Sequence, residues 1–267
     1  MSRIQSKFAN LAKHQRVALI PYITAGDSTP GMTVPLMHAL VAAGADLIEL
    51  GVPFSDPMAD GPVIQKAAER ALEHHVSLRQ VLQMVTDFRR EDEVTPVVLM
   101  GYLNPVEVMG YAAFAEQAAA AGVDGVLIVD LPPEEGGELL PLLYSREIDP
   151  VFLIAPTSSS GRIRKICDAS RGYVYYVSLK GITGAAHLDL DSVAEKMAEI
   201  REISTLPVGV GFGIKDAQTA SAMGRMADAV IVGSAIVSRI AEHQGDTGAT
   251  IDAVSGFVSE LRAGLDS

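Results

Sequence analysis

Short apolar runs alternate along the chain with longer stretches patterned as amphipathic helices. The short runs read as buried strands. Eight are legible: Val17–Tyr22, Asp46–Leu50, Val97–Gly101, Gly125–Val129, Val151–Ile154, Tyr173–Val177, Val208–Gly211 and Ala229–Val232. Helices fill the gaps, among them Thr33–Ala43, Leu78–Arg90, Tyr111–Ala121, Glu134–Ser145, Ser192–Glu202 and Ile251–Leu265. Such alternation predicts parallel strands joined by crossover helices. Eight strand–helix units are what a closed (β/α)8 TIM barrel needs. Ile4–His14 is expected as an extra N-terminal helix closing the bottom of the barrel, and a short extra helix is expected after strand eight. No linker or compositional break divides the chain, so residues 1–267 are expected to form one domain.

The punctuation before the strands repeats. Ala42-Ala43-Gly44-Ala45-Asp46 enters strand two, Ala120-Ala121-Gly122-Val123-Asp124 enters strand four, and Arg225-Met226-Ala227-Asp228 enters strand eight. Gly44 and Gly122 fall where a helix end wants a left-handed residue.

Composition narrows the function. Hydrophobic residues make up 48% of the chain and charged residues 20%, enough for a large core. The net charge is −12 and no Lys/Arg cluster stands out, which argues against a nucleic-acid partner. Arg162, Arg164 and Lys165 come nearest, on a predicted helix. The single cysteine, Cys167, excludes an intrachain disulfide and fits a reducing compartment. Met1–Arg16 has no apolar core like that of a secretory signal, and no run is long enough for a membrane span. A cytoplasmic location is expected.

Chemistry in a barrel belongs to the loops at the C-terminal ends of the strands. Glu49 lies at that end of strand two. Leu47 and Glu49 share one face of the strand, Ile48 and Leu50 the other. A glutamate pointing into a barrel needs a partner, a raised pKa or a task. Asp60 follows in a loop rich in proline and glycine. Locally it fits a turn or helix N-cap equally well. Together the two could act as a general acid/base pair in one cavity. Asp56, before Pro57, reads as a turn residue.

Strands seven and eight run into Gly209-Val210-Gly211-Phe212-Gly213-Ile214 and Val232-Gly233-Ser234-Ala235-Ile236-Val237. Glycine lets a backbone approach an anion, and a new helix offers free N–H groups. The paired placement on the last two strands favours a phosphate site, with Ser234 adding a hydroxyl. The segment Ser178–Ala185 suggests a lid or a further phosphate contact. Lys180 reads as solvated rather than as a Schiff-base lysine. The six histidines show no metal-ligand spacing, and Cys167 reads as buried and inert.

Several segments closely resemble the signature of tryptophan synthase α subunits. They are Pro21–Asp27, Leu47–Pro62, Met100–Pro105, Asp130–Glu135 and Gly181–Gly184, and the similarity covers essentially the whole chain. The resemblance implies retro-aldol cleavage of indole-3-glycerol phosphate to indole and glyceraldehyde 3-phosphate, without a metal or a Schiff base. It implies Glu49 as the mobile general acid/base and Asp60 as the group that stabilises the ring N–H. It places Tyr22, Met100, Leu127, Tyr175 and Phe212 around the indole. Gly184, Gly213, Gly233 and Ser234 would hold the phosphate, and Thr183 would help close the loop over Asp60. Family members often carry phenylalanine in place of Tyr22 and leucine in place of Met100, and some carry arginine in place of Leu179.

The family further implies a β-subunit partner in an α2β2 heterotetramer. Indole would pass to that subunit, which holds pyridoxal phosphate, while this chain holds no cofactor. Asp56, Pro57, Asn104 and Pro132 are expected at the interface. Three alternatives stand beside this reading. One is another phosphate-binding barrel, such as a sugar-phosphate isomerase, against which the Glu49–Asp60 segment speaks. The others are a free-standing lyase and a low-activity barrel that mainly activates the β subunit.

Overall fold

The computed structural model describes residues 1–177, 190–211 and 213–267. Its strands are β1 (Ala18–Thr24), β2 (Ile48–Gly51), β3 (Val97–Gly101), β4 (Gly125–Ile128), β5 (Asp149–Pro150), β6 (Leu153–Ile154), β7 (Val174–Val177), β8 (Val208–Gly211) and β9 (Ala229–Val232). They form one parallel sheet in the order β5-β4-β3-β2-β1-β9-β8-β7-β6. The two ends of that order are consecutive in the chain. Asp149–Pro150 pairs with β4 and Leu153–Ile154 with β7. Between them the Val151 N–H donates to the Val126 carbonyl, and the Phe152 carbonyl accepts from the Tyr175 N–H. The fifth strand expected at Val151–Ile154 is thus real but starts earlier. It gives its lower half to one neighbour and its upper half to the other, as the stagger of a closed barrel requires. Eight strand positions close a (β/α)8 barrel.

Twelve α-helices surround it among the described residues: α1 (Arg3–Lys13), α2 (Thr33–Ala42), α3 (Pro62–Glu73), α4 (Leu78–Phe88), α5 (Leu103–Met109), α6 (Tyr111–Ala121), α7 (Leu139–Tyr144), α8 (Ser160–Ala169), α9 (Leu190–Ile203), α10 (Ala217–Gly224), α11 (Ser234–Glu242) and α12 (Thr247–Leu265). The helix expected over Glu134–Ser145 is shorter. Pro133–Glu135 forms a 3₁₀ turn and α7 starts only at Leu139, because Gly136-Gly137 between them disfavours continuous helix. None of the described helices is long and apolar enough to cross a membrane.

Side-chain parity sorts the core into two layers. Ile48 and Leu50 join the outer layer between sheet and helices. Leu47 joins the inner cluster with Ile20, Val98, Leu127, Val151, Tyr173 and Ile231. The N-terminal helix α1 completes that inner cluster from below. Its cap is the Ser2 hydroxyl, which accepts from the Gln5 N–H, and its apolar face is Ile4, Phe8 and Leu11. The Phe8 and Tyr173 rings lie 5.8 Å apart by centroid. The expected floor of the barrel is therefore present.

The repeated punctuation has a structural cause. Gly44 and Gly122 take positive φ, +106° and +85°, and end α2 and α6. The aspartates that follow make reciprocal clasps to the neighbouring strand. The N–H groups of Asp46, Asp124 and Asp228 donate to the carbonyls of Leu19, Val97 and Val208. Their carboxylates accept from the N–H groups of the same three residues at 3.0, 2.8 and 2.9 Å. Arginines brace them: Arg262 on Asp46, Arg3 and Arg89 on Asp124, Arg201 on Asp228. These clasps fix strand register at the end of the barrel away from the candidate site.

Candidate active site

Glu49 stands on β2 one step above Leu47, on the inward face, with no solvent exposure. Its Oε1 accepts a hydrogen bond from the Tyr173 hydroxyl at 2.6 Å, while Oε2 is buried without a partner among the described residues. Burial pushes the carboxyl up to about 7, and the Tyr173 hydrogen bond only partly offsets this. An acid poised near neutrality can both give and take a proton.

Asp60 is positioned by different means. The loop after β2 carries it to the start of α3, where Gly61, not Asp60, is the N-cap. The capping alternative therefore fails. The Asp60 carboxylate instead accepts from the Tyr102 hydroxyl at 3.0 Å, and that hydroxyl accepts from the Ala59 N–H at 3.0 Å. Phe54 packs on the Tyr102 ring, with centroids 5.2 Å apart. Burial raises the Asp60 carboxyl above its ordinary value, with the Tyr102 bond pulling the other way. Burial and the Asp60 charge likewise raise the Tyr102 hydroxyl.

Two further phenols tie the carboxylates together. Tyr22 on β1 leans over Gly51 on β2, whose missing side chain leaves the space that the Tyr22 hydroxyl fills. Tyr175 on β7 leans over Gly211 on β8 in the same way. Burial raises both hydroxyls, and the charges of both Asp60 and Glu49 add to the rise. Both carboxylates thus lie around the same pair of phenols. The Tyr22 hydroxyl also meets the Thr24 hydroxyl at 3.3 Å.

Most of the other expected residues are among those described. Met100 is half-buried beside Tyr22, Ile64 and Val63, and Leu127 is fully buried in the inner cluster. Gly213 is exposed with φ +73°, a conformation that favours glycine. Gly233 is the N-cap of α11 with no side-chain cap, and Ser234 is exposed in its first turn. The first N–H groups of α11 are therefore not taken by a capping side chain. Asp56 and Asn104 are exposed, Pro57 and Pro132 half-buried. Asn104 is in the first turn of α5. Phe212, Thr183 and Gly184, with the expected lid at 178–185, Leu179 and Lys180, lie outside the described residues. Cys167 is buried in α8. Among the described residues no group of three or more His, Cys, Asp or Glu side chains is placed to hold a metal ion.

Three residues of this centre have no role in the sequence reading: Tyr102, Tyr173 and Gln65. Tyr173 shares inward parity with Tyr175, and that was the available signal. Gln65, on α3, donates to the Asp60 carbonyl at 2.9 Å. Nothing in the linear pattern marks it.

A model of the family described as tryptophan synthase alpha chain matches residues 8–265. The tryptophan synthase alpha chain of Thioalkalivibrio sulfidiphilus is 65% identical, with all of both chains covered. That of Marinobacter nauticus is 61% identical, covering all of this chain and 99% of that one. The chain belongs to the tryptophan synthase alpha chain family. The crystal structure of the alpha subunit from Legionella pneumophila superposes with a TM-score of 0.92 at 43% identity, covering 100% of this chain and 99% of that one. Within the family the fold is the (β/α)8 barrel described above. The activity is that of a carbon–carbon lyase, cleaving indole-3-glycerol phosphate in tryptophan biosynthesis.

Proposed function

We propose that Glu49 and Asp60 divide the proton chemistry of this cleavage between them. Breaking the bond between indole C3 and the glyceryl carbon requires a proton on C3 and removal of a proton from the adjacent hydroxyl. Glu49 supplies both. Protonated, it delivers its proton to C3. As the bond breaks and the aldehyde forms, the hydroxyl proton returns to the same carboxylate. The group ends as it began. Asp60 accepts the ring N–H and balances the positive charge that develops on the ring when C3 is protonated. The observation that carries this reading is Glu49: a fully buried carboxyl, poised near pH 7, with one oxygen unpartnered.

The remaining assignments follow from the same reading. Tyr22, Met100, Leu127, Tyr175 and Phe212 enclose the indole ring. Gly213, Gly233, Ser234 and Gly184 bind the phosphate, with the N-terminus of α11 supplying N–H groups. Thr183 acts in closing the mouth. Phe212, Thr183 and Gly184 are assigned by family resemblance alone. Asp56, Pro57, Asn104 and Pro132 form the edge that meets a β subunit in an α2β2 assembly. Met58, next to Pro57, is 83% exposed, and Val108, one helical turn from Asn104, is 82% exposed. Exposed apolar side chains at this edge support an interface there. Pyridoxal phosphate resides in that partner, this chain needs no cofactor, and the assembly is cytoplasmic.

The test is indole release from indole-3-glycerol phosphate by the purified chain, with and without a tryptophan synthase β subunit. Slow release that rises on adding the β subunit is expected. Fast release that the β subunit leaves unchanged would mark a free-standing lyase, and no release in either case would overturn the assignment.

A further inference from the structure

Gln65 lies in the first turns of α3, half-buried, and its side chain turns back over the loop that precedes the helix. Its amide nitrogen donates to the Asp60 carbonyl at 2.9 Å and to the Pro57 carbonyl at 3.3 Å. The turn between those two residues is closed by the Asp60 N–H, which donates to the Pro57 carbonyl at 3.0 Å. One side-chain amide therefore grips both ends of the turn that presents Asp60. A primary amide has two N–H groups, so it can serve both carbonyls at once. Tyr102 holds the Asp60 carboxylate from the other side.

The grip is useful because α3 is itself fixed. Arg70 makes a bidentate pair with buried Asp27, at 2.6 and 2.9 Å. His74 Nε2 lies 2.9 Å from the Ser28 carbonyl at the C-terminal end of the same helix. Ala67 is fully buried and packs in one cluster with Tyr22 and Val237 of α11. The position of α3 is thus set by the barrel, and Gln65 passes it on to the backbone of Asp60.

We propose that Gln65 is a positioning residue for Asp60. By fixing the 57–60 turn it holds the Asp60 carboxylate where the ring N–H of the indole arrives. The inference rests on the reading of Asp60 as acceptor of that N–H. When the grip is lost the two carbonyls turn to water and the turn relaxes. A displacement of about an ångström is enough to spoil a charge-assisted hydrogen bond.

The experiment compares two probes that share one phosphate arm, indole-3-propyl phosphate and benzofuran-3-propyl phosphate. In the second the ring N–H is replaced by oxygen. Calorimetric titration of the parent protein should show a preference of about tenfold or more for the indole probe. In Gln65→Leu and Gln65→Glu the preference should fall to within about twofold, with affinity for the benzofuran probe unchanged. The Glu variant keeps the shape and replaces the donor, so it serves if the Leu variant fails to fold. An undiminished preference overturns the inference. So does an equal loss for both probes, which is what a merely structural role would give. A parent protein without preference, or an Asp60→Ala variant that keeps it, overturns the reading of Asp60 and the inference with it.

Discussion

Glu49 belongs to a strand and Asp60 to a loop. The strand buries Glu49 completely, and among the described residues the barrel offers it one hydrogen-bond donor, Tyr173. The loop leaves Asp60 half-buried, held by a hydroxyl at its carboxylate and an amide at its carbonyl. Both carboxyls are raised by burial. The first is raised by the fold itself and keeps an oxygen without a partner among the described residues, which suits the proposed proton donor. The second has its hydrogen bond already made and keeps a charge in a defined place. On the proposed reading, one environment makes an acid and the other makes a counter-charge.

This contrast can be broken at its strongest point first. Glu49→Gln removes the titrating group but keeps its shape. Cleavage should fall on the order of a thousandfold or more, with binding of a phosphate-bearing ligand kept. Single-turnover assays beside a binding titration check this, and near-normal turnover would remove Glu49 from the chemistry. Asp60→Asn keeps an acceptor but loses the charge. Its rate should fall on the order of a hundredfold, with little change in melting temperature. A loss of stability with normal rate would make Asp60 a structural residue.

A third effect sharpens the comparison through stability. Folding raises the Glu49 carboxyl from 4.5 to about 7. Below pH 4.5 both folded and unfolded chains hold the proton, and burial of the group carries no charge penalty. Between pH 4.5 and 7 the unfolded chain has released it and the folded chain has not, so stability falls as pH rises. The penalty is complete above pH 7 and amounts to about 3 kcal/mol, at roughly 1.4 kcal/mol per pH unit. Glu49→Gln should therefore gain stability over the parent by about that much between pH 4 and pH 8 in denaturant unfolding. A pH-independent difference would mean that Glu49 is not desolvated as described.

Much of the fold was legible because strand side chains alternate. Leu47 and Glu49 were placed on one face by parity, and the inner cluster holds Leu47 while the outer holds Ile48 and Leu50. Asp46, Asp124 and Asp228 were legible as punctuation but not as clasps, since each grips a residue 20 to 27 positions earlier. The start of the fifth strand was missed because pairing there depends on barrel stagger. The Glu134–Ser145 helix failed where two adjacent glycines outweighed the apolar pattern. At the site, the two carboxylates were visible as polar groups in the wrong company. Their supports were not. Tyr173 is 124 residues from Glu49 and Tyr102 is 42 from Asp60, and only the curvature of the sheet brings them together.

The N-terminal helix has a consequence for traffic. Ile4, Phe8 and Leu11 stop the barrel from below, so Glu49 sits at the end of a blind passage. Among the described residues, the side of Glu49 that faces this helix is packed with apolar side chains and the Tyr173 ring. On the proposed mechanism, a molecule that fills the mouth is served by the proton that the carboxyl held on its arrival, and that proton is restored to the carboxyl before departure. On that mechanism the cycle borrows one proton and returns it, with no net exchange with the solvent.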